Sequence, residues 1–162
     1  MSLSRIVVDN SAILPAYFPE SGDRLFDAGL VTNRARALVQ AIRVRQVNAY
    51  VPPSFFREFL NVASQPLYQP GGRTTDQVEH IRAQWEDLLS LPLIVVPLDP
   101  LIHQCGNFVF NDFCPAADTW YVAAAVHTRA TFWISHEHSD GLAGIASKYV
   151  DVKVLSKSAP NY

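Results

Sequence analysis

Apolar and polar positions along this chain follow two rhythms. Short apolar runs of strand length alternate with longer stretches of helical period. Ile6-Val7-Val8 is β-branched and gives way at once to Asp9-Asn10-Ser11, which predicts a buried strand followed by a turn, with Ser11 placed to start a helix. Between Thr32 and Val47, Ala35, Leu38, Val39 and Ile42 fall on one stripe at helical spacing, so this stretch is read as a helix. Asn48 to Val51 is read as a second strand, stopped by Pro52-Pro53, and Ser54 can cap a helix reaching about Ser64. A helix is expected from Thr75 to Ser90, closed before Pro92, and a third strand over Leu93-Ile94-Val95-Val96. Leu101 to Asn111 and Asp118 to Thr128 read as helices, and Thr131 to Ile134 as a fourth strand. Gly141 to Tyr149 reads as a short helix and Val152 to Leu155 as an edge strand. The longest loop is expected over Gln65 to Thr75, which holds two prolines and a Gly-Gly pair.

Strands of about four residues alternating with helices of about ten or more predict a mainly parallel sheet covered by helices on both faces. The expected fold class is α/β, a three-layer α/β/α sandwich with four or five strands. The 162 residues fit one domain, and neither side of the long loop alone could bury a core, so residues 1–162 are read as a single domain. Apolar residues make up 49% and charged residues 17%, which excludes compositional disorder. The formal charge of −2 excludes a globally basic nucleic-acid coat but leaves room for a local basic patch. No apolar run approaches membrane-spanning length, and the apolar run after Met1 is too short for a signal peptide. Cys105 and Cys114 are expected as reduced, inert thiols, which fits a cytoplasmic protein.

In parallel sheets of this kind ligands bind beyond the carboxyl ends of the strands. Four acids fall near those ends. Asp9 follows strand one, Glu58 lies one turn into the helix after strand two, Asp118 heads an alanine-rich helix, and Glu137 follows strand four in Ser135-His136-Glu137-His138. Each also has an ordinary reading: Asp118 as a helix N-terminal charge, Asp9 as a turn cap, Glu137 as a surface loop residue. Glu58 fits an ordinary reading less easily, because its neighbours in Phe55-Phe56-Arg57-Glu58-Phe59-Leu60 are largely aromatic or aliphatic. A carboxylate in such surroundings needs a partner or a metal. Several carboxylates converging on one point repel each other unless cations hold them, and all-oxygen ligands suit Mg²⁺ or Mn²⁺.

These segments resemble the PIN-domain family, and within it the VapC-type toxin nucleases. Ile6-Val7-Val8-Asp9-Asn10-Ser11 is similar to the family's opening of an apolar strand, Asp, any residue, Ser. Val51 to Val62, a proline-led helix with Glu58 followed by Asn61-Val62, resembles the second motif, and Pro115 to Ala125, with Asp118 opening the helix, the third. Thr131 to Glu137 resembles the fourth, a strand running into Ser, any residue, acid, and Leu93 to Pro100 is similar to the family's central strand. The resemblance covers essentially the whole chain. It implies an acidic quartet of Asp9, Glu58, Asp118 and Glu137 holding Mg²⁺ or Mn²⁺ for metal-activated hydrolysis of RNA. Ser11 and Ser135 would orient carboxylates or a water. The family usually carries Asp in the fourth motif, where this chain has Glu137, and Asp140 is the alternative fourth acid. The resemblance also implies a small antitoxin partner, a homodimer and the cytoplasm.

Other chemistries fit less well. His136 and His138 have no evident third nitrogen or sulfur ligand for zinc, and neither a Gly-x-Ser-x-Gly motif nor a phosphate-binding glycine loop occurs. A phosphoacceptor receiver would want a second acid after Asp9, where Asn10 stands, and a late Lys-Pro, where Lys157-Ser158 stands. Arg34, Arg36, Arg43, Arg45 and Arg57 occur with no acid between Asp27 and Glu58. They read either as arginines snorkelling around a buried stripe or as a surface for RNA or a partner. Phe18, Phe26 and Trp85 read as core or interface aromatics, and by analogy with the family as the antitoxin groove. The alternative function is a PIN-like RNA- or protein-binding module with weak or absent catalysis, suggested by Glu137.

Overall fold

A computed structural model describes residues 3–19, 28–136 and 142–160. Strand β1 (Ser4–Val8) leads into helix α1 (Asn10–Tyr17), then α2 (Ala28–Arg43), β2 (Val47–Val51), α3 (Phe55–Ala63) and a 3-10 turn (Gln65–Tyr68). Helix α4 (Thr75–Ser90) precedes β3 (Ile94–Val95), α5 (Asp99–Asp112) and α6 (Ala116–Thr128), and the chain ends with β4 (Thr131–Ile134), α7 (Leu142–Ala146) and β5 (Val152–Val154). The five strands form one sheet in the order β3-β2-β1-β4-β5, and every neighbouring pair is parallel. The expected three-layer α/β/α sandwich is the observed fold.

Burial explains the layering. Successive strand residues point to opposite faces, so a strand buried at every position is covered on both sides. Ile6, Val7 and Val8 of β1 are all buried, and so are Phe132, Trp133 and Ile134 of β4. β1 pairs with β2 through Ile6 opposite Ala49, and with β4 through Val7 opposite Phe132. The centre of the sheet is therefore its driest part, and Asp9 follows directly from it. Helix α6 is buried continuously from Tyr121 to Ala125, as expected of a helix apolar nearly all round. On α3, Phe55, Phe59 and Ala63 form the inward stripe. Phe59 meets Tyr17 edge-on and lies beside Phe18 and Trp85, which places the half-buried Phe18 and Trp85 in one aromatic cluster with the core. Phe26 lies outside the described residues.

Several stretches depart from the sequence reading. Helix α2 ends at Arg43, short of Val47. Arg45 adopts a left-handed φ of 56°, and its successor Gln46 donates back to the Ala41 carbonyl at 2.9 Å. That closes the helix in the way a glycine usually does, but with an arginine that carries no such signature. Val47 is thereby released into β2. The third strand is only Ile94–Val95, and both side chains are exposed, because β3 is a sheet edge between Pro92 and Pro97. The long loop contains the 3-10 turn, and Gly72 lies so close to the Pro66 carbonyl oxygen that a Cβ there would overlap it. Helix α7 is likewise shorter than read, whereas β4 and α4 match in full. Cys105 and Cys114 are both buried thiols. No helix among the described residues is long and apolar enough to cross a membrane.

Candidate active site

Beyond the carboxyl end of β1 the chain bends into α1, and Asp9 makes the bend. Its side chain accepts from the Ser11 backbone N–H at 3.0 Å, which caps the helix and pins the carboxylate. Asp9 is itself buried. Ser11 then reaches across the sheet. Its Oγ accepts from the Ser135 backbone N–H at 3.2 Å, where β4 ends. Ser11 and Ser135 therefore join two strand ends to each other, and Ser135 is 2% exposed.

Asn10 is the hub of the site. Its Nδ2 lies 2.8 Å from the Tyr121 hydroxyl, 2.9 Å from the Phe55 carbonyl and 3.3 Å from Glu58 Oε2. An amide nitrogen carries two hydrogens, so the two shorter contacts take them and the Glu58 contact is a shared one. Tyr121 Oη in turn donates to Glu58 Oε2 at 2.5 Å. Residues from α1, α3 and α6 thus close into one network. Burial pushes the Tyr121 hydroxyl far above its usual value, and the charges of Asp9 and Glu58 with the Glu58 hydrogen bond push it further. Tyr121 stays protonated and serves as a permanent donor to Glu58.

Of the four expected acids, Glu58 is hydrogen-bonded to the Tyr121 hydroxyl, and the negative charge of Asp9 also acts on that hydroxyl. Asp118 lies in the first turn of α6, three residues before Tyr121, so the two share a helix face. Glu137 and Asp140 lie outside the described residues. Among the described residues no three His, Cys, Asp or Glu side chains stand together as a metal-holding group. The donor chemistry nevertheless suits a hard cation. Asp9 and Glu58 offer carboxylate oxygens, and Asn10 Oδ1 is a buried acceptor without a hydrogen-bond partner. Mg²⁺ is commonly held by one or two carboxylates, with waters and substrate phosphate completing its shell.

Asn10 and Tyr121 escaped the sequence reading. A tyrosine inside Trp-Tyr-Val-Ala-Ala-Ala has the pattern of a core residue, and it is in fact 1% exposed. Its spacing of three from Asp118 was the available signal. The arginines divide between the two readings. Arg34 Nη1 donates to the Leu155 carbonyl at 2.7 Å and Arg43 pairs with Asp87 at 2.7 Å, both structural roles. Arg57 is exposed beside Glu58 and makes no ion pair with a described residue.

No protein-family model and no curated protein matches the sequence. Solved structures do match the fold. FitAB bound to an IR36 DNA fragment superposes with a TM-score of 0.60 at 14% identity, covering 97% of this chain and 99% of that one. FitAcB from Neisseria gonorrhoeae gives 0.59 at 16% identity over 93% and 97% of the two chains. PAE2754 from Pyrobaculum aerophilum gives 0.56 at 13% identity over 91% and 83%. With its five parallel strands and its helices on both sides of the sheet, the chain has the PIN-like fold.

Proposed function

We propose that this protein is a metal-dependent endoribonuclease, the toxin member of a toxin–antitoxin pair. The observation that carries the reading is the Glu58 carboxylate held by the buried Tyr121 hydroxyl and by Asn10, the residue directly after Asp9, beyond the central strand. The fold likeness to FitAB and FitAcB supports the toxin–antitoxin assignment. Asp9 and Glu58, with Asp118 and Glu137, would hold Mg²⁺ or Mn²⁺. A divalent cation bound there supplies an acidified water and neutralises charge on the phosphate. The chain's own residues supply position. The Ser11 N–H fixes Asp9, and Tyr121 with Asn10 fixes Glu58, so neither carboxylate needs to reorganise when substrate arrives. Under the same reading the partners are an RNA substrate, a small antitoxin and a second copy of the chain, and the site of action is the cytoplasm.

The second reading is a PIN-like binding module without strong catalysis. It is motivated by Glu137, which stands where the resembled family usually carries Asp. Incubating purified, partner-free protein with a mixed structured-RNA pool separates the two. For the nuclease, cleavage requires Mg²⁺ or Mn²⁺, stops with chelator, and is lost in Asp118→Asn while the fold persists. Mn²⁺ should also raise the melting temperature, because a ligand that binds only the folded state stabilises it. A fully active, metal-independent Asp118→Asn would overturn the proposal. No cleavage and no stabilisation by Mn²⁺ would leave the binding module.

A further inference from the structure

The two carboxylate oxygens of Glu58 stand in different surroundings. Oε2 accepts from the Tyr121 hydroxyl at 2.5 Å and shares the Asn10 Nδ2 contact at 3.3 Å. A carboxylate oxygen has two lone pairs, so both acceptor positions of Oε2 are taken. Oε1 has no hydrogen bond or ion pair with a described residue, and the half-buried Glu58 keeps a route to solvent. The donor on Oε2 is itself held in place. The Tyr121 hydroxyl accepts from Asn10 Nδ2 at 2.8 Å, its ring stacks on Phe132 with centroids 6.4 Å apart, and the side chain is 1% exposed. Asn10 is pinned in turn by the Phe55 carbonyl at 2.9 Å. Swinging Tyr121 off Oε2 would strand a buried hydroxyl without a partner, so the block on this oxygen is built in. Oxygen count is what separates divalent cations at such sites. Mg²⁺ is satisfied by one or two carboxylates with waters around it, whereas Ca²⁺ gathers about six to eight oxygens and often takes a carboxylate by both.

We infer that Tyr121 sets the cation preference of this site: by occupying Oε2 it leaves Glu58 a ligand through Oε1 alone, which disfavours Ca²⁺ relative to Mg²⁺. Tyr121 acts through Glu58 and is a positioning residue. Removing its hydroxyl returns one lone pair of Oε2, even with Asn10 still donating, and Glu58 can then offer both oxygens. The inference rests on the nuclease reading and deepens it.

The test reads cation binding, with no RNA present. Free Mn²⁺ is followed by its electron paramagnetic resonance signal as purified protein is added, and the bound Mn²⁺ is then displaced by Mg²⁺ or by Ca²⁺. The ratio of the Ca²⁺ to the Mg²⁺ dissociation constant should fall by about fivefold or more from wild type to Tyr121→Phe, which keeps the ring against Phe132. Asp87→Asn, at a carboxylate held by Arg43 outside this site, should leave the ratio unchanged. Thermal melting shows whether Tyr121→Phe is folded. If it is not, infrared spectra of wild type carrying carboxyl-labelled glutamate decide the matter. With Mg²⁺ bound, the Glu58 band, assigned by its loss in Glu58→Gln, should have the wide stretch splitting of a one-oxygen ligand. A folded Tyr121→Phe with the wild-type ratio, or a Glu58 band with the narrow splitting of a two-oxygen ligand, overturns the inference and leaves the nuclease reading standing. A wild-type protein that binds none of these cations overturns both.

Discussion

Two tyrosine–carboxylate pairs in this molecule look alike and behave differently. Tyr17 Oη donates to Asp87 Oδ2 at 2.8 Å, and Arg43 closes the same carboxylate at 2.7 Å, tying α1, α2 and α4 together near the surface. Tyr121 Oη donates to Glu58 Oε2 at 2.5 Å, and the other donor is the neutral amide of Asn10. Asp87 has its charge matched by a cation. Glu58 has hydrogen-bond donors but no ion pair with a described residue. Burial raises the hydroxyl of both tyrosines, reinforced by Asp87 in the first case and by Asp9 and Glu58 in the second. The difference lies in the charge left over. A carboxylate neutralised by arginine serves as a clamp, whereas one fixed by neutral donors has no cation of the chain against it and can meet one from outside beyond the central strand.

The contrast can be broken most severely at Asp9. Asp9→Asn keeps an oxygen that can accept from Ser11 N–H, so the α1 cap survives and the melting temperature should change little. RNA cleavage in Mn²⁺ should nevertheless fall by about 10²-fold or more. A variant that melts early and cleaves normally would make Asp9 a cap and nothing else. Next comes Tyr121→Phe, which removes one hydroxyl from a buried network and leaves Asn10 Nδ2 and Glu58 each a partner short. Denaturant unfolding should show a loss of about 1–3 kcal/mol, and cleavage should drop as Glu58 loosens. If cleavage is untouched while stability falls, the network is structural.

Asp87→Asn, the matching change in the clamp, should cost at most about 1 kcal/mol, because Arg43 and Asp87 are both more than a third exposed and screened by solvent. It should leave cleavage unchanged. The smallest effect is a pH dependence. The hydrogen bond from Arg43, and then that from Tyr17, hold the Asp87 carboxyl below its usual value against the opposing effect of burial. The clamp's contribution is therefore complete above the unfolded carboxyl value of about 3.9 and disappears as pH falls through the lower folded value. The stability difference between wild type and Asp87→Asn should be present at neutral pH and shrink in strong acid, as thermal melts at a series of pH values would reveal.

What the sequence discloses divides along the same line. Local signals carried far: the β-branched run before Asp9, the prolines before α3 and the exact span of β4 all follow from residues close in the chain. The place of Asp9 directly after β1, and of Glu58 on the helix after β2, was legible from the apolar runs before them. The strand order was not, since Ile6 opposite Thr131 is a pairing that no local pattern encodes. Arg45 ends α2 in a conformation usually left to glycine, and Asn10 and Tyr121 reveal their roles only once α1, α3 and α6 meet. A hydrogen-bond hub is a property of three segments, so one-dimensional periodicity cannot display it.

The link from Ser135 N–H to Ser11 Oγ spans 124 positions of sequence. Asp9 sits two residues before the near end of that link, directly after the strand that must wait for β4 to be paired on its second side. During synthesis the chain emerges amino end first, at about 5–20 residues per second. Everything from α1 to α6 is therefore translated before the bend at Asp9 has its neighbour, and closing such distant contacts is the slow part of folding. Premature termination or cleavage before β4 yields a fragment in which the site cannot close. Topology thereby ties the closure of this site to synthesis through β4.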